Sequence, residues 1–303
     1  MHSGTRYIRV GLIAAALSAP FSISAQPTPA RGREVGTIIV AHGADSTWNA
    51  PVKALSAAVS TGGPVRVAYL MGSEAATHRF GDMAAELESL GVREIVVVPL
   101  LVSSHSEHYR QIRWLAGLED SVDARLAEHM HHAGMQPAKV NVPIRVAAAL
   151  DDAIAMADVL TERALALATS PREQALFLVA HGPDDASDYA RWMENLRRVA
   201  DRVQQSAGFR DVRVDVVRDD APAHVRAEAV RRVRELITLQ QALTQRDVVV
   251  VPILISRGAM TRSTLVADLK GLPIVYAGDA LLPHPALAGW VEGVVRSMAM
   301  RAP

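Results

Sequence analysis

Two stretches of this chain are written twice. Thr37-Ile-Ile-Val-Ala-His42-Gly43 returns as Ala175-Leu-Phe-Leu-Val-Ala-His181-Gly182, and Ile95-Val-Val-Val-Pro99-Leu-Leu-Val102 returns as Val248-Val-Val-Val-Pro252-Ile-Leu-Ile255. A duplication of this size predicts two similar α/β units in tandem. Each half opens with an apolar strand that delivers a histidine and a glycine at its C-terminal end. Each later carries a second apolar strand interrupted by proline. Open α/β sheets bind their ligands at the C-terminal ends of strands, so these ends are where chemistry is expected.

The elements between the repeats support this fold. Strands are expected at Thr37–Ala41, Val65–Met71, Glu94–Val102 and Val140–Arg145, then at Ala175–Ala180, Asp211–Val217, Asp247–Ile255 and Pro273–Ala277. Helices fill Asn49–Val59, Thr77–Leu90, the stretch around Ile112 and Leu115, and Asp151–Ala168. In the second half they fill Asp188–Ser206, His224–Gln240, Thr261–Leu269 and Pro285–Ala299. Short apolar runs alternating with helices predict a parallel four-stranded sheet in each unit, with helices on both faces. The units are expected at residues 34–170 and 171–303, joined through the short connection at Pro171.

The first 25 residues differ in character. Arg6 and Arg9 precede an apolar run from Val10 to Ala19, small residues follow at Ser22–Ala25, and no acid occurs before Glu34. This is the layout of a secretory signal peptide, with residues 26–33 as a linker. It predicts a periplasmic or secreted protein. The run is too short for a membrane span, which needs about 20 apolar residues, so the mature protein is expected to have none. Formal charge is zero, and no global field draws the chain to nucleic acid. Cysteine is absent, which removes disulfides, thiolate ligands and cysteine nucleophiles. P-loop, dinucleotide and G-x-S-x-G motifs are also missing, so neither a nucleotide cofactor nor serine hydrolysis is expected.

His42 and His105 are the leading site residues, because strands one and three of a parallel sheet emerge at the same edge. Glu107 and His108 stand beside His105. Imidazoles with a nearby carboxylate suit Co, Ni, Fe or Zn. A site with two protein nitrogens leaves coordination positions open and suits handing a metal on. With ordinary pKa values of about 6.5, such ligands would lose metal to protons between about pH 7 and about pH 5. His129, His131 and His132 form a second histidine-rich stretch, either metal-collecting or simply solvated. Arg110 and Arg113 follow the His105 cluster at helical spacing and are candidates for pairing the carboxylates of an anionic ligand. Arg218, Arg257 and Arg262 are similar candidates in the second half. That half keeps His181 but reads Ser256-Arg257-Gly258 where a second histidine would stand, so its site is expected to be partly degenerate.

Val40-Ala-His42-Gly43, Val97-Val-Pro99-Leu-Leu-Val-Ser-Ser-His105 and Leu282-Pro283-His284-Pro285 together resemble the sirohydrochlorin cobaltochelatase/ferrochelatase family. The resemblance covers nearly all of the chain after the leader, as a two-unit member. It implies two chelatase-like units and insertion of a divalent metal, Co²⁺ first and Fe²⁺ or Ni²⁺ next, into a tetrapyrrole such as sirohydrochlorin without ATP. It implies His42 and His105 as the metal-binding and proton-accepting pair, with Glu107 and His108 beside them. His181 and His284 are the remnants in the second unit. The alternative is an exported protein that binds metal or tetrapyrrole on the same scaffold without turnover.

Overall fold

The first sheet is entirely parallel, in the order β2-β1-β3-β4. Its unit runs β1 (Val35–Ala41), α1 (Ser46–Ala58), β2 (Val65–Tyr69), α2 (Phe80–Ser89), β3 (Glu94–Leu100), α3 (Glu107–Leu115), β4 (Ile144–Val146) and α4 (Ile154–Leu167). The second unit repeats it with β5 (Ala175–Ala180), α5 (Ala186–Ala207), β6 (Asp211–Val216), α6 (Ala223–Thr244), β7 (Val248–Ile253), β8 (Ile274–Tyr276) and α8 (Pro285–Met300). Between β7 and β8 a π-helical turn, Met260–Thr264, leads into the short α7 (Leu265–Asp268). The second sheet has the order β6-β5-β7-β8 and is again parallel. The computed structural model describes residues 1–2, 35–122, 126–128, 130 and 134–300. Most of the expected leader, the linker at 26–33, and His129, His131 and His132 lie outside the described residues. Both sheets belong to one compact unit, Gly32–Pro303.

The duplication extends to register. Pro99 sits opposite Val40, and Pro252 sits opposite Val179, each one residue before the Ala-His end of the neighbouring strand. Edge strand β4 pairs only with Ile95–Val97, and β8 only with Val248–Val250. Each proline therefore lies where the ladder has become one-sided, and its missing N–H breaks least.

Strand four is shorter than the apolar pattern suggests. Val140 and Val142 pack on the first unit's core, but the strand begins only at Ile144, after Pro143 has accepted the Ile95 N–H through its carbonyl at 2.9 Å. Helix α2 likewise starts at Phe80 instead of Thr77, because residues 72–78 form a turn held to Ala44 and to strand two.

The last helix of each unit lies on the other unit's sheet. α4 packs against β7 and α8 packs against β3, while α4 and α5 also lie side by side. One apolar cluster consequently runs through both halves, joining Ile39, Leu55 and Val98 to Leu178, Val251 and Leu287. Each such side chain contributes about 1.5–3 kcal/mol when fully buried. A cut at residue 170 would strip each sheet of a helix that covers it. Among the described residues no helix is long and apolar enough to cross a membrane.

Candidate functional site

The C-terminal edges of both sheets open into one cleft of about 720 Å³. β1 delivers His42 to it and β5 delivers His181. The glycine after each histidine is required by geometry. Gly43 has φ +83° and a Cβ there would lie 2.2 Å from the Met71 carbonyl oxygen. Gly182 has φ +81° and a Cβ would lie 2.6 Å from Val216. With the backbone turned this way, His42 Nδ1 stands 2.7 Å from the Gly43 oxygen and His181 Nδ1 stands 2.9 Å from the Gly182 oxygen. A carbonyl can only accept, so each Nδ1 carries a proton, and His42 Nε2 is left with its lone pair.

His108 completes the group. It lies in the first turn of α3, which is capped by Ser106 accepting the Tyr109 N–H at 3.2 Å. Its ring meets the His42 ring edge-on, with centroids 4.8 Å apart and planes at 81°. His108 Nδ1 lies 3.3 Å from Gln111 Oε1, and the Gln111 amide nitrogen donates to Met135 Sδ at 3.2 Å. That orientation makes Oε1 the acceptor, so His108 also keeps its lone pair on Nε2. Burial lowers the His42 pKa, and the nearby His181 adds to the effect. For His108, burial and then the adjacent His42 ring bring the pKa down to about 4. The His108 ring is therefore neutral well below pH 7, and burial favours the neutral form of His42 as well. The pH 7 to 5 loss of metal expected from ordinary imidazoles is displaced toward acid, because water is partly excluded from these two rings.

The other sequence candidates are placed elsewhere or differently. His105 does not line the cleft. Its carbonyl accepts the Trp192 indole N–H at 2.6 Å, and its own N–H donates to Ser103 Oγ at 3.1 Å. The loop beside it is pinned by Asp151, whose carboxylate takes the Ser104 N–H at 2.7 Å and the Ser104 hydroxyl at 2.8 Å. Glu107 lines the cleft. Arg110 is paired with Asp188 of the second unit at 2.9 Å, and Arg113 with Glu119 at 2.6 Å. Neither lines the cleft. His284 faces Glu162 on α4, Nε2 to Oε2 at 2.8 Å, and accepts the Ala286 N–H at Nδ1. It belongs to the seam between the units.

His181 faces the same cleft as His42, with Nε2 3.5 Å from an Asp220 carboxylate oxygen. The second unit also holds the first unit's loops twice, through the Trp192 indole on the His105 carbonyl and through Ser256, which donates to the Trp48 carbonyl at 2.9 Å. Trp48, Trp192 and Asp220 are cleft residues that strand-and-motif reasoning passed over. The available signal was position, since Asp219 and Asp220 follow β6 at the same sheet edge as His181. Among the described residues, no group of three or more His, Cys, Asp or Glu side chains converges closely enough to enclose an ion.

The family model named CbiX matches residues 36–167, which span the whole first sheet, His42 and the His108 helix. The first unit is therefore similar to the CbiX family. The fold extends the likeness across both units. SirB from Bacillus subtilis, solved with Fe³⁺, superposes with a TM-score of 0.60 at 16% identity, covering 88% of this chain and 96% of that one. DR2241 from Deinococcus radiodurans is a multi-domain protein described as structurally similar to chelatases. It gives a TM-score of 0.55 at 16% identity, covering 87% of this chain and 55% of that one. No curated protein sequence matches the chain.

Proposed function

We propose that this CbiX-like protein is a metal chelatase that inserts a divalent metal into a tetrapyrrole in the cleft between its units. The observation that carries the reading is the pair of imidazoles, His42 and His108, each tied at Nδ1 to an acceptor, so that their Nε2 lone pairs are presented at one cleft. His42 and His108 take the incoming ion by Nε2, each kept neutral by its surroundings. As the macrocycle's nitrogens replace water and imidazole on the metal, its two pyrrole N–H protons leave. An imidazole released from the ion then has a free lone pair to accept a proton. Two protein nitrogens hold the metal well enough to position it and loosely enough to release it.

Co²⁺ is the proposed metal, with Fe²⁺ and Ni²⁺ as competitors on the same donor chemistry. The test is an anaerobic assay of purified protein with sirohydrochlorin and each ion in turn, following the change in macrocycle absorption. Metal-dependent spectral change at substoichiometric enzyme supports the reading; stoichiometric binding without turnover refutes it. The latter result would favour an exported carrier of metal or tetrapyrrole, which the leader-like residues 1–25 make the second reading. Export itself is a proposal from Arg6, Arg9 and the Val10–Ala19 run. Mass spectrometry of protein from its host should find an N-terminus near Gln26, and an intact Met1 would refute export.

A further inference from the structure

A neutral His108 offers a metal its Nε2 lone pair only while the ring proton sits on Nδ1, and Gln111 decides where that proton sits. Gln111 stands one helical turn beyond His108 on α3 and has no surface exposed to solvent. The two ends of its amide are not equivalent, because the oxygen accepts and the nitrogen donates. Oε1 lies 3.3 Å from His108 Nδ1, and Nε2 lies 3.2 Å from Met135 Sδ. Turned over, the amide would set its NH2 against His108 Nδ1. That nitrogen would then have to accept, the ring proton would move to Nε2, and the lone pair at the cleft would be lost.

The far end of the amide holds it the right way round. A thioether has no proton to donate. An amide oxygen turned toward Met135 would be buried without a donor, whereas the NH2 group finds an acceptor there. Sulfur is a weak acceptor, but among the described residues the Gln111 side chain has no other polar partner than His108 and Met135. Met135 is itself fixed. Its N–H donates to the Met130 carbonyl at 2.9 Å, and the nearby Ala138 N–H donates to the Leu115 carbonyl at 2.8 Å, which straps this segment to the end of α3. Its side chain packs on the first unit's core. It does not line the cleft; it lines a separate cavity of about 280 Å³ with Phe80 and Leu115.

We infer that Met135 is a positioning residue: its sulfur orients the Gln111 amide, and the amide fixes His108 in the tautomer that leaves Nε2 free for the metal. The inference rests on the reading of His108 as a metal donor. The experiment reads the His108 ring by ¹⁵N NMR in the full chain, metal-free and at neutral pH. In the wild type the proton should be on Nδ1 and Nε2 should be bare. Met135→Leu keeps the volume and removes the acceptor. The two amide orientations then become nearly equivalent, and the Nε2-protonated ring should rise to about half of the population or more. Co²⁺ affinity should fall at least about twofold, in proportion to the fraction of rings left in the competent tautomer. A second pair of variants separates orientation from packing. In Gln111→Glu the side chain presents an oxygen whichever way it lies, so adding Met135→Leu to it should leave the ring spectrum unchanged. A merely structural role for Met135 would disturb the ring equally in both backgrounds, and that result overturns the inference. A wild-type ring protonated at Nε2 overturns it too, whether or not any variant folds, as does a ring spectrum that Met135→Leu leaves untouched. A tautomer that shifts with Met135→Leu while Co²⁺ affinity stays constant upholds the positioning role and removes His108 from the metal site, so the two failures are told apart.

Discussion

Acid should destabilise this protein through His108 by a calculable amount. The folded pKa of His108 is about 4, against about 6.5 in an unfolded chain. Between those values the unfolded state binds a proton that the native state refuses, so unfolding is favoured as pH falls. The contribution is fully present above about pH 6.5 and is lost as pH drops through that window toward about 4. Each pH step within it is worth about 1.4 kcal/mol, which makes the whole effect about 3 kcal/mol and the part spent by pH 4.5 about 2.5 kcal/mol. The physical origin is a ring held half-buried on α3, against His42 and with only Gln111 to accept its Nδ1 proton. Urea unfolding of the wild type and of His108→Gln at pH 7.5 and 4.5 isolates the effect, because the carboxylates common to both proteins cancel. The wild type should lose about 2.5 kcal/mol more than the variant over that interval. An NMR titration of the His108 ring should show its midpoint near 4. Equal losses in the two proteins, or a ring midpoint near 6.5, would refute the claim that this imidazole is kept neutral by burial.

Metal affinity should follow the same rings, falling less between about pH 7 and about pH 5 than a pair of ordinary imidazoles would allow, because both pKa values are lowered; Co²⁺ calorimetry at fixed ionic strength reads this directly, and the full loss expected of ordinary imidazoles would contradict it. Gly43→Ala should cost about 3 kcal/mol or more in urea unfolding, from its positive φ and the clash with the Met71 carbonyl, whereas Gly62→Ala, equally left-handed but with open space around it, should cost about 1 kcal/mol. Trp192→Phe removes the indole N–H from the His105 carbonyl; it should cost about 1 kcal/mol of stability in urea unfolding, and an unchanged stability would show that this bond contributes nothing net. His181→Ala should weaken Co²⁺ binding partially, because the ring shares the cleft with His42; an unchanged affinity would return His181 to the role of remnant.

Much of this architecture was legible because the strands are apolar and repeated. The Val-Ala-His-Gly and Val-Val-Pro runs place His42, His181, Pro99 and Pro252 without any tertiary information, and the structure sets them in matching register. The choice between His105 and His108 was not legible in the same way. Both follow β3 within nine residues of Pro99, and only the helical start at Glu107, fixed by the Ser106 cap, brings position 108 beside His42. The arginines misled for a related reason. Helical spacing puts Arg110 and Arg113 on a face but cannot say that Asp188, far along the chain, and Glu119 already occupy them. The exchange of α4 and α8 between the sheets depends on packing between distant segments and leaves no trace in local periodicity.

The central claim is that His42 and His108, presented as neutral Nε2 donors at a shared cleft, hold the metal. Its most direct test is Co²⁺ titration of His42→Ala, His108→Ala and His105→Ala, each checked for native folding by circular dichroism. The account predicts losses of at least about 100-fold for the first two, more than the loss of an outer-shell partner, with the third within about threefold of wild type. A His105→Ala protein that loses cobalt while His108→Ala retains it would contradict the account.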